Sequence, residues 1–158
     1  MRSTRGLSTI VLLCMVACGG SSSTSPNNNG SNNSAGPLSA TINGKAWSSQ
    51  FPTASYHGSI LAVAGLDNGL TASVTLALTV TAPGTFSVSS GNNVFGNGGY
   101  STPVGGWATA LPGGTGTVTV TTLTSNHVAG TFAFDAVPAT TGATGTVHIT
   151  NGKFDITF

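Results

Sequence analysis

The chain has 158 residues, of which 39% are hydrophobic, 7% aromatic and only 4% charged, with a formal net charge of +1. So weak a field excludes nucleic acid as a partner and leaves no electrostatic attraction for anionic lipid. The length suits one ordinary domain once a leader and a linker are set aside.

The N-terminus carries Arg2 and Arg5, and an apolar run follows from Leu7 to Ala17. A basic n-region before a short apolar core is the pattern of a secretory signal peptide, and the run falls well short of the roughly 20 residues that cross a bilayer as a helix. Residues 1–17 are therefore expected to be removed. The run closes on Met15-Val16-Ala17-Cys18, which resembles the lipobox of bacterial lipoproteins, with Met15 where leucine is usual. That resemblance implies a diacylglycerol on the Cys18 sulfur, cleavage just before it and acylation of the new amine. Buried methylenes contribute about 0.8 kcal/mol each, so one chain holds marginally and two or three hold durably. Gly19 stands where an aspartate would retain a lipoprotein at the inner membrane, which favours the outer membrane. Cys14 leaves with the signal, so the mature domain has no free thiol, no disulfide and no cysteine-ligated metal.

Residues 18–37 are the lipidated cysteine and a tract of glycine, serine and asparagine without charge or large apolar residues. Such a tract buries too little surface to offset its chain entropy and reads as a flexible tether spanning roughly 25 Å.

Residues 38–158 read as a single all-β domain. Asn43-Gly44 suits a type I′ hairpin. "SILAVAGL" (Ser59 to Leu66) is continuously apolar, as in a central strand. Asn68-Gly69 marks another hairpin, and from Leu70 to Val80 the apolar residues alternate with threonine and serine, the period of a strand with one buried face. Pro83-Gly84 marks the next turn. Ser89 to Gly106 breaks the rhythm and reads as a long irregular loop, with Phe95, Tyr100 and, just beyond, Trp107. Alternation returns in "TVTVTT" (Thr117 to Thr122), in Val128, Phe132 and Phe134, in "TVHIT" and in "FDITF". Turn signals at Pro112-Gly113-Gly114, Ser125-Asn126 and Asn151-Gly152 separate these runs. About nine short strands in an antiparallel β-sandwich or small barrel are expected.

Three stretches, "ATINGKAW" (Ala40 to Trp47), "VAGTFAFDA" (Val128 to Ala136) and "TVHITNGKF" (Thr146 to Phe154), together resemble a family of uncharacterised bacterial lipoprotein domains, a domain of unknown function. The resemblance implies an all-β lipoprotein with hairpins at both Asn-Gly dipeptides. It brings no activity and no site residues.

Catalytic chemistry finds little to work with. A nucleophilic triad needs a base held by a carboxylate, yet His57, His127 and His148 lie in no nucleophile elbow. His148 points outward by alternation, and Asp155 shares an outward face with Lys153, where the two form a weak pair. Three scattered aspartates, Asp67, Asp135 and Asp155, with no glutamate do not make a glycosidase. No ligand spacing suggests a metal, and no cofactor is expected. "FDITF" imitates the last strand of an outer-membrane barrel and "TVTVTT" an ice-binding row, but short strands and ordinary solvent-face alternation explain both.

The expectation is a lipid-anchored, outer-membrane, non-enzymatic β-domain with a structural or protein-interaction role in the envelope. The alternative is a module for neutral glycans, with Phe95, Tyr100 and Trp107 stacking on sugar rings.

Overall fold

The computed structural model describes residues 36–91 and 95–158; the lipobox, Cys18 and nearly all of the tether lie outside the described residues. Eleven antiparallel strands and no helix make up the described chain, in one sheet curled into a half-barrel. The strands are β1 (Leu38–Ile42), β2 (Lys45–Ser48), β3 (Thr53–His57), β4 (Ile60–Leu66), β5 (Ser73–Thr79), β6 (Gly84–Ser87), β7 (Gly96–Thr102), β8 (Gly105–Ala108), β9 (Thr115–Leu123), β10 (His127–Pro138) and β11 (Val147–Thr157).

β10 divides the sheet into two limbs. Val128 to Asp135 pair with β9, Val137 and Pro138 pair with β8, and β11 lies along the other edge. One limb runs β2-β1-β11-β10-β9-β6 and the other β8-β7-β5-β4-β3. Their inner faces form one core, in which Leu38, Leu61, Leu78, Ile149 and Phe154 are fully buried. Each such side chain contributes about 1.5–3 kcal/mol by leaving water. Ser49, itself buried, ties the limbs together after β2. Its backbone nitrogen donates to Leu38 O at 2.8 Å and its hydroxyl donates to Leu66 O at 3.0 Å.

The type I′ turn at Asn43-Gly44 is present, with φ of 47° and 80°, and it joins β1 to β2. Asn151-Gly152 makes no hairpin. "TVHIT" and "FDITF" belong to one strand, β11, and Asn151 (φ 53°) is the centre of a bulge at which the partners of both neighbouring strands shift register. A bulge and a type I′ turn ask for the same left-handed residues, so the dipeptide alone does not separate them. Asn68-Gly69 likewise sits in a wider loop, residues 67–72. There Leu70 takes φ 54° and is 61% exposed, so the buried alternation begins at Ala72 instead.

The stretch read as an irregular loop contains β7 and the start of β8, and the strands number eleven, not about nine. Glycines at 96, 98, 99, 105 and 106 hide them from a propensity argument. Tertiary packing supplies the reason: a Cβ on Gly98 would stand 2.9 Å from the Phe134 ring, so the strand passes there only without a side chain.

Candidate functional site

The outer face of the larger limb is where polar side chains gather. Strand register sets Thr85 opposite Thr119, Thr119 opposite Thr131, Thr131 opposite Lys153, Lys153 opposite Ser39 and Ser39 opposite Ser48. One transverse register row therefore crosses six strands. It faces solvent from Thr85 to Lys153 and again at Ser48, while Ser39 is buried. The Thr85 and Thr119 hydroxyls share a hydrogen bond of 2.9 Å. The inward partners Val118, Phe132 and Phe154 are buried, which forces their neighbours out to water. Over the β11 bulge the face dips into an open trough of about 510 Å³, lined by Thr117, Thr119, Thr131, Asn151 and Lys153. Bending at the bulge accounts for the concavity.

A histidine–aspartate pair stands at each end of the β10–β11 ladder. His127 Nε2 and Asp155 Oδ1 are 2.7 Å apart, and His148 Nδ1 and Asp135 Oδ1 are also 2.7 Å apart. A carboxylate only accepts, so the ring nitrogen donates in each. Asp155 thus bonds His127, its diagonal neighbour on β10, and not Lys153 on its own strand. Both pairs are largely exposed. No serine or threonine hydroxyl bonds the second ring nitrogen of either histidine among the described residues, so neither pair extends to a nucleophile. Among those residues no three His, Cys, Asp or Glu side chains come together. His57 stands exposed at the end of β3.

The three aromatic candidates do not form one platform. Tyr100 and Trp107 face each other across β7 and β8, with ring centroids 5.7 Å apart and planes at 38°. Both turn inward. Trp107 is 9% exposed and its Nε1 donates to Gly145 O at 3.0 Å, the part of a core residue. Burial and the nearby Asp67 charge push the Tyr100 hydroxyl above its usual pKa. Phe95 stands apart before β7, 57% exposed. Trp47 and Tyr56 lie against the edge of the core, and the Tyr56 hydroxyl donates to Val80 O at 3.2 Å.

Asp67 is occupied by its own loop. Its Oδ1 accepts from the backbone nitrogens of Thr71 (2.7 Å) and Ala72 (3.1 Å), and its Oδ2 accepts from the Thr71 hydroxyl (2.9 Å). The Thr71 amide, then the Ala72 amide, hold the carboxyl below its ordinary pKa.

Alternation found the outward residues of this face but not their assembly. Both the transverse row and the two His–Asp pairs depend on register. The one signal available was the like order of histidine then aspartate, His127 to Asp135 and His148 to Asp155, on two runs that pair antiparallel. No helix among the described residues is long and apolar enough to cross a membrane. A family model matches residues 34–156, and its description is a domain of unknown function, DUF6252. No curated protein and no solved structure matches the chain.

Proposed function

The chain belongs to that family of unknown function, and from this premise we propose that it is a lipid-anchored module of the bacterial cell envelope, without catalytic activity, that holds a structural or protein partner. Anchoring through Cys18 and outer-membrane placement rest on the lipobox and on Gly19. The observation that carries the binding role is the row of Thr85, Thr119, Thr131 and Lys153, a solvent-facing polar surface across four strands. Such a face suits a broad, neutral contact better than a reaction, since both His–Asp pairs are largely exposed and no hydroxyl among the described residues bonds either ring.

A test follows from the cysteine content. With Cys18 lipidated, Thr131→Cys places a unique thiol in the centre of the face, and Ser55→Cys on β3 supplies a control on the other limb. A bifunctional thiol crosslinker on intact cells is expected to trap a partner from position 131 and not from 55. Equal trapping from both positions, or none, refutes the assignment of the face. Labelled palmitate entering the wild type but not Cys18→Ser checks the anchor.

The trough favours a second reading. Hydroxyl and amide groups around Lys153 offer hydrogen bonds to a neutral glycan, without aromatic stacking. A saccharide panel that raises the melting temperature of the wild type but not of Thr131→Val selects this reading.

A further inference from the structure

We infer that the Asn68–Gly69 bond is the described domain's site of spontaneous deamidation, singled out by the fold from three chemically identical dipeptides. Asn-Gly also occurs in the described residues at 43–44, 97–98 and 151–152. In the reaction the Gly69 backbone nitrogen attacks Asn68 Cγ. An N–Cγ bond forms, the Cγ–Nδ2 bond breaks, and the proton from the Gly69 nitrogen leaves with the side-chain nitrogen as ammonia. Water then opens the five-membered imide. Attack at Cγ gives aspartate, and attack at the backbone carbonyl carbon gives isoaspartate. The step needs a free asparagine side chain and a glycine nitrogen free to approach it.

Three of the four dipeptides lack that freedom. Asn43 Oδ1 accepts from the His148 backbone nitrogen at 2.8 Å, across the β1–β11 junction. At 97–98 both reacting groups are engaged by Thr109, whose hydroxyl donates to Asn97 Oδ1 at 3.3 Å and accepts from the Gly98 nitrogen at 2.9 Å. Gly152 is buried within β11, opposite Phe132. Asn68 and Gly69, by contrast, are both exposed in the β4–β5 loop, and among the described residues no hydrogen bond involves the Asn68 side chain or the Gly69 nitrogen. The surrounding loop is held by Asp67, so a new carboxylate would appear beside an existing one. Between residues 36 and 158 the charged side chains are two lysines and three aspartates, and one more negative charge is a large relative change.

The full chain, incubated folded in mildly alkaline buffer and mapped by peptide mass spectrometry, is expected to convert at Asn68 while positions 43, 97 and 151 stay intact. The same incubation in denaturant should let positions 43, 68, 97 and 151 all react, as Asn29-Gly30 outside the described residues also can. Gly69→Ala removes the unhindered nitrogen, and the nearest atom to its new Cβ is the Thr71 hydroxyl at 3.4 Å, so the variant folds. The Asn68 product is expected to be largely lost in it, with the melting temperature unchanged. Conversion at 43, 97 or 151 before 68 in the folded chain overturns the inference. So does a preference for Asn68 that survives in denaturant, because local sequence and not the fold would then be its cause.

Discussion

Phe132 lies across Gly152 on the neighbouring strand, and Phe154 lies across Gly130 in return. The pairs are register partners, Gly130 with Phe154 and Phe132 with Gly152, and the two rings stack at 6.4 Å and 27°. A Cβ on either glycine would stand 2.5 Å from the ring that covers it. Each phenylalanine thus shields a glycine that would otherwise leave backbone bare within a strand. Gly-x-Phe written twice, on two antiparallel strands, is the core device of the larger limb. Gly130→Ala meets both the Phe154 ring and the Thr119 carbonyl, and backbone does not swing aside. Overpacking of this kind costs about 1–3 kcal/mol, to be read as a lowered denaturant midpoint at unchanged slope.

Trp107→Ala separates a core role from a ligand role. Removing a buried indole costs about 3–5 kcal/mol, so the variant is expected to melt far below the wild type whether or not any glycan is present. Trp107→Phe keeps most of the volume and forfeits the bond to Gly145 O, at about 0.5–1.5 kcal/mol. A Trp107→Ala variant that melts normally contradicts the buried position.

Acid sensitivity has one identifiable source in the β4–β5 loop. The folded pKa of Asp67 lies below its unfolded value, so the carboxylate's contribution is fully present above the ordinary value of about 3.9. It is lost as pH falls through the depressed folded value. Asp67→Asn is therefore expected to flatten the stability–pH curve on its acid side while leaving the curve's shape near neutrality unaltered. Urea midpoints measured across that range check it.

Ser49→Ala releases the tie between the limbs. The hydroxyl donates to Leu66 O and accepts from the Phe51 nitrogen at 3.1 Å. Leaving such partners unsatisfied costs about 1–3 kcal/mol. Amide exchange at Gln50, whose nitrogen donates to Leu66 O at 2.9 Å, is expected to accelerate more than exchange in β10.

The His148–Asp135 pair is exposed, and a double-mutant cycle with alanine at each position is expected to give a coupling of only about 0.2–1 kcal/mol, screened by salt. A larger, salt-insensitive value would mean that the pair is shielded from solvent.

Period-two alternation identified the inward residues of β5, β9, β10 and β11 because each strand has one wet face, and a side-chain period of two survives any rearrangement of neighbours. It missed β7, whose Gly98 and Gly99 carry no side chain to alternate. It divided β11 at Asn151-Gly152, where a left-handed residue serves a bulge instead of a turn. The polar face stayed hidden for a different reason: Thr85, Thr131 and Lys153 become neighbours only through register between strands far apart in the chain. His127 and Asp155 meet for the same reason.

Leu38, at the start of β1, is paired with Phe154 near the chain's end, and the Asp155 nitrogen donates to Pro37 O at 2.7 Å. β1 lies between β2 and β11, so its second edge has no partner until β11 has been synthesised. Sheets dominated by such distant pairings fold slowly. A nascent chain of this topology stays unfinished until β11 emerges, and truncations lacking β11 are expected to be rapidly degraded. The same adjacency brings the two ends of the domain together, which makes it a natural candidate for circular permutation, with new termini opened in the exposed β4–β5 loop.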